Sequence, residues 1–489
     1  MLGRSILSYL PVNLANVLTA FGTIAILTRL LEPAEFGIYA IAMITMQFVH
    51  MGLFTWLEAA MARFQARAER NNDVASHLTT LYRVAVLTGA SGFGLIMATL
   101  YAVPIDSTLK FVLTFALAST CIQVIFNLGM EAHRASHRIT RYSITYSTTT
   151  LLSFTLGILF ILFTPLKASA PFAGIIGGLL IIGGLDLIFM WKQMRGGKFQ
   201  PEKVKTYFVY GAPICIGLLL SYALNSADVY LIAAFMGEAS AGEYNAGYNL
   251  ANRSLEILFI WVSMAVTPIA VTAMEKEGLE KSREILKNYG ATLLWITVPA
   301  ATGIALVSKD AGFILGEGLR DNAVLVMPWI SLAGLINGCM TYYVHRAFML
   351  SGQTHKYVWA LVFPVILNIA LNLYLIPTYG LMGAVWSTIL SYTLAIIFAT
   401  LLARRDYPLP LPVRAASEII LCSAAMAAAV YMLPLSDLTP GFVTLVIKGF
   451  VGACVYLLAC WIINAADCRN VIRGLLDRFS ASKVLEPAE

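Results

Sequence analysis

Three charged residues lie within otherwise apolar stretches of this 489-residue chain, and their types and spacing are suited to binding ions. Asp228 lies in the apolar segment 208–235, and Arg253 and Glu256 lie in the segment 244–274. Charges inside apolar helices are costly, so each of them indicates a functional site. The guanidinium of Arg253 has several donors that match phosphate oxygens, which predicts phosphate binding. Asp228 and Glu256 are predicted either to bind a proton or sodium ion or to form structural ion pairs with Arg253.

A second group of candidates consists of polar and basic residues on other predicted helices. Gln47 and His50 are three residues apart and share one helix face, where they either line a polar cavity or hydrogen-bond to a neighbouring helix. Asn16 lies in the first apolar segment, and His345 and Arg346 lie near the inner end of the tenth. All five are predicted to contact the substrate. Enrichment of positive charge at inner helix ends is the alternative explanation for Arg346.

The composition indicates which elements must position these residues. Hydrophobic residues make up 59% of the chain and charged residues 12%, and the mean hydropathy is +0.76, whereas an ordinary soluble domain is about 25% charged. An apolar run of about 18 residues or more can cross a membrane as a helix. The sequence therefore predicts an all-α polytopic membrane protein with about 14 transmembrane helices, at 6–28, 37–57, 78–103, 109–130, 142–164, 171–191, 208–235, 244–274, 289–308, 323–350, 357–376, 380–403, 417–434 and 442–464.

Basic residues are concentrated on one side of this arrangement. With the N-terminus inside, the inner segments hold 25 of the 33 Lys and Arg residues and the outer segments hold 6. The positive-inside rule then predicts cytoplasmic N- and C-termini, and it predicts that the charged stretch 62–77 is a solvated inner loop. The net charge of +6 follows from this asymmetry and does not indicate nucleic-acid binding. The seven cysteines lack metal-ligand spacing, so neither a metal nor a cofactor is predicted.

The two halves of the chain repeat one another. Pro11, within the first turns of the first helix, and Gly37, in a Gly-x-Tyr sequence interpreted as a turn, recur 202 and 205 residues later as Pro213, interpreted as opening a helix, and Gly242. Each repeat holds six helices, which predicts two lobes of the same orientation in a pseudo-two-fold arrangement, with a cleft between them and two further C-terminal helices. The predicted parts are an N-terminal lobe (1–191), a basic cytoplasmic linker (192–207), a C-terminal lobe (208–403), a proline-rich cytoplasmic loop (404–416), helices 13 and 14 (417–464) and a cytoplasmic tail (465–489).

Several segments resemble one family of membrane proteins. The stretch from Arg29 to Ala40 (RLLEPAEFGIYA) resembles the turn between the first two helices of bacterial polysaccharide flippases of the O-antigen type, in the multidrug/oligosaccharidyl-lipid/polysaccharide exporter superfamily. Ala241–Tyr248 (AGEYNAGY) resembles the motif that corresponds to this turn in the second lobe of these flippases. Asp228 resembles the acidic residue of their seventh helix, and Asn372–Ala384 (NLYLIPTYGLMGA) resembles their turn between helices 11 and 12. The family often has a basic residue after that acidic one, whereas uncharged residues follow Asp228 here.

The resemblance implies a transporter in the bacterial inner membrane, not an enzyme. It would move undecaprenyl-diphosphate-linked oligosaccharide across the membrane by alternating access, for polysaccharide biosynthesis or export. The implied partners are this lipid-linked oligosaccharide, the membrane lipids, H⁺ or Na⁺ as a coupling ion and other polysaccharide-assembly proteins. A cation-coupled multidrug antiporter of the same superfamily is the alternative, although a cationic cleft counts against it. A membrane glycan polymerase or ligase is less consistent, because the sequence has no Asp-x-Asp pair, phosphate-binding lysine loop or His-Glu-x-x-His motif.

Overall fold

A computed structural model describes residues 2–433, 435 and 441–469, so residues 470–489 of the predicted tail lie outside the described residues. Its first part is a succession of helices. A 3₁₀ turn (Lys167–Ser169) precedes α7, and a π-helical turn (Leu179–Gly183) joins α7 and α8 into one span. The helices are α1 (Leu2–Leu30), α2 (Pro33–Leu53), α3 (Thr55–Arg70), α4 (Val74–Ala102), α5 (Ser107–Ala135), α6 (Ile139–Phe163), α7 (Ala170–Gly178), α8 (Gly184–Met194) and α9 (Pro201–Met236).

The second part is also helical. A π-helical turn (Met340–Val344) lies between α13 and α14, and 3₁₀ turns occupy Gly312–Ile314 and Ala465–Asp467. In the described part of the chain, thirteen helical spans are long and apolar enough to cross a membrane. The remaining helices are α10 (Glu238–Lys276), α11 (Leu279–Leu306), α12 (Ser308–Ala311), α13 (Glu317–Cys339), α14 (Arg346–Leu350), α15 (Thr354–Ala403), α16 (Val413–Tyr431) and α17 (Phe442–Ile463).

The longest span, α15, is a hairpin of two membrane helices. Gly380 interrupts it with φ 60° and ψ −139°, a conformation that glycine adopts without a Cβ penalty. The Ser387 hydroxyl donates a hydrogen bond to Asn372 fifteen residues earlier, although these residues would be about 22 Å apart in a straight helix. The rings of Phe363 and Phe398 also lie 4.5 Å apart, centroid to centroid. The chain therefore reverses at Gly380, which confirms the predicted fold of about fourteen membrane helices.

Both Gly-x-Tyr turns predicted from the sequence are wrong. Gly37 lies inside α2, which begins at Pro33, and Gly242 lies inside α10, which begins at Glu238. Each glycine instead permits a close approach between helices. A Cβ on Gly37 would lie 1.8 Å from the carbonyl oxygen of Glu238, and a Cβ on Gly242 would lie 2.7 Å from that of Pro33. Small residues let helix backbones meet in this way, so the motif marks a contact surface and not a turn.

A third close approach joins the same region to the segment before α13. The Gly316 amide donates a hydrogen bond to the Thr28 hydroxyl at 3.0 Å. A Cβ on Gly316 would lie 1.8 Å from the Thr28 carbonyl oxygen. Backbone contacts therefore connect four segments, namely the end of α1, the start of α2, the start of α10 and the residues before α13.

Two further local predictions are wrong. Pro213 lies inside α9 and does not open it, because the polar residues that precede it continue the helix, whereas Pro11 lies within the first helix as predicted. Membrane helices tolerate such prolines when neighbouring groups satisfy the freed backbone carbonyl. The predicted loop 62–77 is mostly helical, since α3 buries one apolar face and ends only at Arg70.

The described residues divide into two compact units. One lies within Met1–Ala246 and Leu315–Leu319, and the other lies within Gly247–Ile314 and Arg320–Glu489. The first contains a core of buried side chains from α3, α4, α5, α8 and α9, and the second contains a core built from α10, α11, the turn before α14, α14 and α15. The lobe boundaries derived from the sequence repeat stay a prediction.

Candidate functional site

Arg253 and Glu256 form an ion pair on α10 in the second unit. Arg253 Nη1 lies 3.2 Å from Glu256 Oε2, and the two side chains are 55% and 38% exposed. Arg253 is fifteen residues after Glu238, about 22 Å along the helix axis, which is too far for its side chain to reach that end. Because an exposed charge in hydrocarbon is costly, we infer that Arg253 faces water. One guanidinium nitrogen takes part in this pair within the described part of the chain, so other donors can reach a ligand.

Asp228 has a different environment. It is buried in α9 with 1% of its surface exposed, and its Oδ2 accepts a hydrogen bond from the Tyr244 hydroxyl at 2.9 Å. Tyr244 lies near the start of α10, so this bond connects α9 to α10 within the first unit. The bond supports a structural contribution from Asp228. Its role in ion binding stays a prediction.

His50 lies at the meeting point of three helices in the first unit. Its Nε2 is 3.0 Å from Oε1 of Glu58, and the Asn127 amide donates to the same oxygen at 2.9 Å. His50 belongs to α2, Glu58 to α3 and Asn127 to α5. These polar contacts therefore fix the carboxylate of Glu58 in a defined position.

Glu58 forms part of the wall of a cavity of about 460 Å³ in the first unit. The wall also carries a second carboxylate, Glu131. Of the described residues that line the cavity, none is Lys, Arg or His. Carboxylates and neutral oxygens suit a cation or a polyhydroxylated group better than a phosphate. The other polar residues of the wall are Thr19, Thr23, Tyr39, Gln123, Asn127, Tyr142, Tyr146, Thr149, Thr150 and Ser153.

The structure brings only some of the predicted residues of the first unit to this cavity. Asn16 is exposed on α1 and does not line the cavity, although Thr19 and Thr23 of the same helix do. His50 reaches the cavity through Glu58. Gln47 is half-buried on α2 and does not line it. Substrate contact by each of these residues stays a prediction.

His345 and Arg346 lie in the second unit, directly after the π-helical turn of residues 340–344. His345 is buried, with its ring 5.1 Å from that of Tyr357 in an edge-on arrangement. The π-helical turn packs against α10, because Tyr342 stacks on Phe259 with the ring centroids 5.5 Å apart. Phe259 is one turn beyond Glu256, so His345 and Arg346 lie on an element that contacts the helix of Arg253. π-Helical turns of this kind are frequent at functional sites.

Sequence reasoning missed Glu58 and Glu131 because of two helix boundaries. The predicted spans ended at residues 57 and 130, which placed both carboxylates in the inner connections. In the structure α3 begins at Thr55 and α5 continues to Ala135, so both carboxylates lie within helices. Among the described residues, no group of three or more His, Cys, Asp and Glu side chains could hold a metal ion.

Three relatives are similar to parts of this chain. A Klebsiella pneumoniae protein named "Uncharacterized membrane protein in cps region" is 22% identical over 333 residues, which cover 65% of this chain and 64% of the relative. Two Haloferax volcanii proteins, "Probable flippase AglR" and "Probable low-salt glycan biosynthesis flippase Agl15", are 25% and 22% identical over 42% and 46% of this chain. These two matches span 43% and 47% of the relatives, which is less than half of their length.

Solved structures show the same fold. "Lipid II flippase MurJ, inward closed conformation" superposes with a TM-score of 0.75 over 96% of this chain and 100% of that one, at 14% identity. An inward-facing multidrug resistance MATE family transporter gives a TM-score of 0.65 over 79% of this chain and 94% of that transporter, also at 14% identity. The family model described as "Polysaccharide biosynthesis protein" matches residues 2–274, which is more than half of the sequence. This chain therefore belongs to the polysaccharide biosynthesis protein family.

Proposed function

We propose that this protein is a flippase that moves undecaprenyl-diphosphate-linked oligosaccharide across the cytoplasmic membrane by alternating access, for polysaccharide biosynthesis or export. The observation that carries the proposal is the exposed Arg253 deep within an apolar helix. A guanidinium in that position supplies donors for a diphosphate and lowers the free energy of bringing a doubly charged headgroup into the membrane. The two relatives named as flippases support the same activity.

The remaining parts of the proposal concern orientation and energy. The excess of Lys and Arg on one side supports cytoplasmic N- and C-termini in a bacterial inner membrane. Asp228 and Glu256 are the proposed sites for H⁺ or Na⁺ coupling, with Glu256 acting through its ion pair with Arg253. Membrane lipids and other polysaccharide-assembly proteins are the proposed partners.

The direct test is mass spectrometry of polyprenyl-diphosphate-linked saccharides extracted from cells with and without this protein. We expect one complete glycan species to accumulate on the inner side when the protein is absent, because assembly continues while translocation stops. An unchanged lipid-linked pool would contradict the proposal.

The role of Arg253 is tested by Arg253→Ala and Arg253→Lys. We expect Arg253→Ala to abolish glycan export and Arg253→Lys to retain part of it, since an ammonium keeps the charge but loses the planar donor arrangement. Arg83→Ala is the matched control, because Arg83 is also exposed on a membrane helix. Arg83 lies only about 14 Å from the start of α4 at Val74, which is nearer to a helix end than Arg253, so we expect Arg83→Ala to retain export. Normal export by a stably inserted Arg253→Ala protein would refute phosphate binding.

A cation-coupled multidrug antiporter is the second candidate, and the acidic cavity of the first unit favours it. Glu58 and Glu131 supply carboxylates, and no basic residue among the described residues lines the wall. Under this alternative, loss of the protein would leave lipid-linked saccharides unchanged and sensitise cells to cationic toxic compounds. Accumulation of a glycan with unchanged drug sensitivity would exclude it.

A further inference from the structure

Three arginines form a row along the exposed side of α3. Arg63, Arg67 and Arg70 are all exposed, and their spacing of four and three residues places them on one helix face. From Arg63 to Arg70 the row is about 10 Å long. We refer to these three residues as the arginine row.

Aromatic contacts with α9 hold α3, and with it the row, in a fixed position. Trp56 packs edge-on against Phe208 of α9, with ring centroids 5.4 Å apart. Phe64 contacts Tyr207 and Tyr210 of the same helix, at centroid distances of 5.2 and 5.6 Å. The arginines therefore project from a packed helix and not from a flexible loop.

The arginine row lacks the acidic partners that neutralise other basic residues of the first unit. Lys203 pairs with Asp73, and Arg134 lies 2.6 Å from Glu131. Within the described part of the chain, no Asp or Glu lies within ion-pair distance of any member of the row. Three aligned guanidinium groups repel one another, so an anion from outside the chain would stabilise them.

The internal repeat shows that the shared scaffold does not require these charges. Helix α10 corresponds to α2 and α3 with an offset of 205 residues, as Gly37 and Gly242 show. The positions equivalent to the arginine row are Pro268, Thr272 and Glu275, none of which is basic. The row is therefore a specific feature of the first repeat.

The depth of the row identifies the kind of anion. Gln65, in the middle of α3, donates to the hydroxyl of Ser136, which directly follows the end of α5 at Ala135. The row thus lies level with the end of a membrane helix, where lipid headgroups are found. In the predicted orientation this is the inner leaflet, which carries anionic lipids. We propose that the arginine row binds the phosphate groups of anionic phospholipids in the inner leaflet.

The test compares the wild-type protein with the triple variant Arg63→Gln, Arg67→Gln and Arg70→Gln in nanodiscs of phosphatidylcholine with or without phosphatidylglycerol. Native mass spectrometry then measures how much phosphatidylglycerol each protein retains. We expect the triple variant to lose about 100-fold in affinity, close to 3 kcal/mol at about 1.4 kcal/mol per tenfold. Equal retention by the two proteins would overturn the proposal.

Two further variants make the result specific. The triple variant Lys192→Gln, Arg195→Gln and Lys198→Gln removes the same charge from exposed residues at the end of α8 and in the connection after it, on the same predicted membrane side. We expect it to retain phosphatidylglycerol like the wild type. An equal loss in this control would show that only total charge matters and would overturn the proposal. Replacing the arginine row by lysines should cause an intermediate loss, because lysine cannot bind phosphate through two parallel hydrogen bonds.

A final arm distinguishes phospholipid from transported cargo. Undecaprenyl diphosphate is added to wild-type protein that has retained phosphatidylglycerol. We expect the phosphatidylglycerol to stay bound at equal concentrations of the two lipids. Complete displacement that requires the arginine row would assign the row to the cargo and would overturn the phospholipid assignment. This inference does not depend on the proposed flippase activity, since it is measured without transport.

Discussion

The contact between Gly316 and Thr28 gives the sharpest prediction about the fold. The conformation of Gly316 is open to other residues, because its φ lies outside the left-handed range, so Gly316→Ala changes only the space required. The added Cβ would lie 1.8 Å from the Thr28 carbonyl oxygen, whereas ordinary contacts begin at 3.4 Å. The two segments must therefore separate by about 1.6 Å, which overpacking data place at about 1–3 kcal/mol.

Thermal unfolding in detergent micelles measures this cost. We expect Gly316→Ala to unfold at a lower temperature than the wild type, and we expect Gly217→Ala to behave like the wild type because nothing lies within 4 Å of its added Cβ. The identity of the opposing atom can be tested as well. Truncation by Thr28→Ala leaves the carbonyl oxygen in place and should not rescue Gly316→Ala.

A rescue experiment at a different glycine provides the contrast. A Cβ on Gly338 would lie 2.1 Å from the ring of Phe259, which is a side chain. Phe259→Ala should therefore reduce the additional destabilisation caused by Gly338→Ala. Wild-type stability of Gly316→Ala, or its rescue by Thr28→Ala, would refute the backbone-contact interpretation.

Four further substitutions test charged contacts of the first unit through the free energy of unfolding. Asp186→Asn should cost about 3–5 kcal/mol because it breaks buried pairs with two basic residues, whereas Arg134→Ala, at a half-exposed pair, should cost less than about 1 kcal/mol. The hydrogen bond from Lys203 holds the pKa of Asp73 below its usual range. The pair therefore stabilises the fold at pH values above the usual pKa of Asp, and this contribution is lost as the pH falls through the lowered pKa. Asp73→Asn should thus cost up to about 1 kcal/mol at pH 7, and this cost should shrink as the pH falls below the usual range of Asp and vanish below the lowered pKa. His50→Ala should cost about 1–3 kcal/mol by removing a donor from the half-buried carboxylate of Glu58, and a wild-type unfolding midpoint would contradict this.

Hydropathy alone was sufficient to predict the class of fold. Each crossing needs a long apolar run whatever its neighbours are, so the runs are visible without knowledge of packing. The turn before Gly380 was also predictable, because Pro377 and Gly380, three residues apart in this segment, mark a helix interruption. The polar ends of the helices were harder to predict, since α3 and the first turns of α9 are helical although they lie outside the apolar runs.

The candidate site was less accessible to sequence reasoning. Gly37 and Gly242 were interpreted as turn residues, whereas the structure uses them for helix contact, and one sequence does not distinguish these uses of glycine. The predicted segment begins at residue 244, nine residues or about 14 Å before Arg253, whereas α10 begins at Glu238, about 22 Å before it. The cavity beside Glu58 depends on side chains from six helices, and no local pattern joins them.

The hairpin of α15 has a consequence for how the chain enters the membrane during synthesis. Its first half carries Asn368 and Asn372, both fully buried, and the Asn372 oxygen accepts a hydrogen bond from Ser387 in the second half. A first half inserted alone would expose these amides to lipid without that partner, which is unfavourable. We therefore expect the translocon to release the two halves together, as one insertion unit, and Ser387→Ala to delay that release.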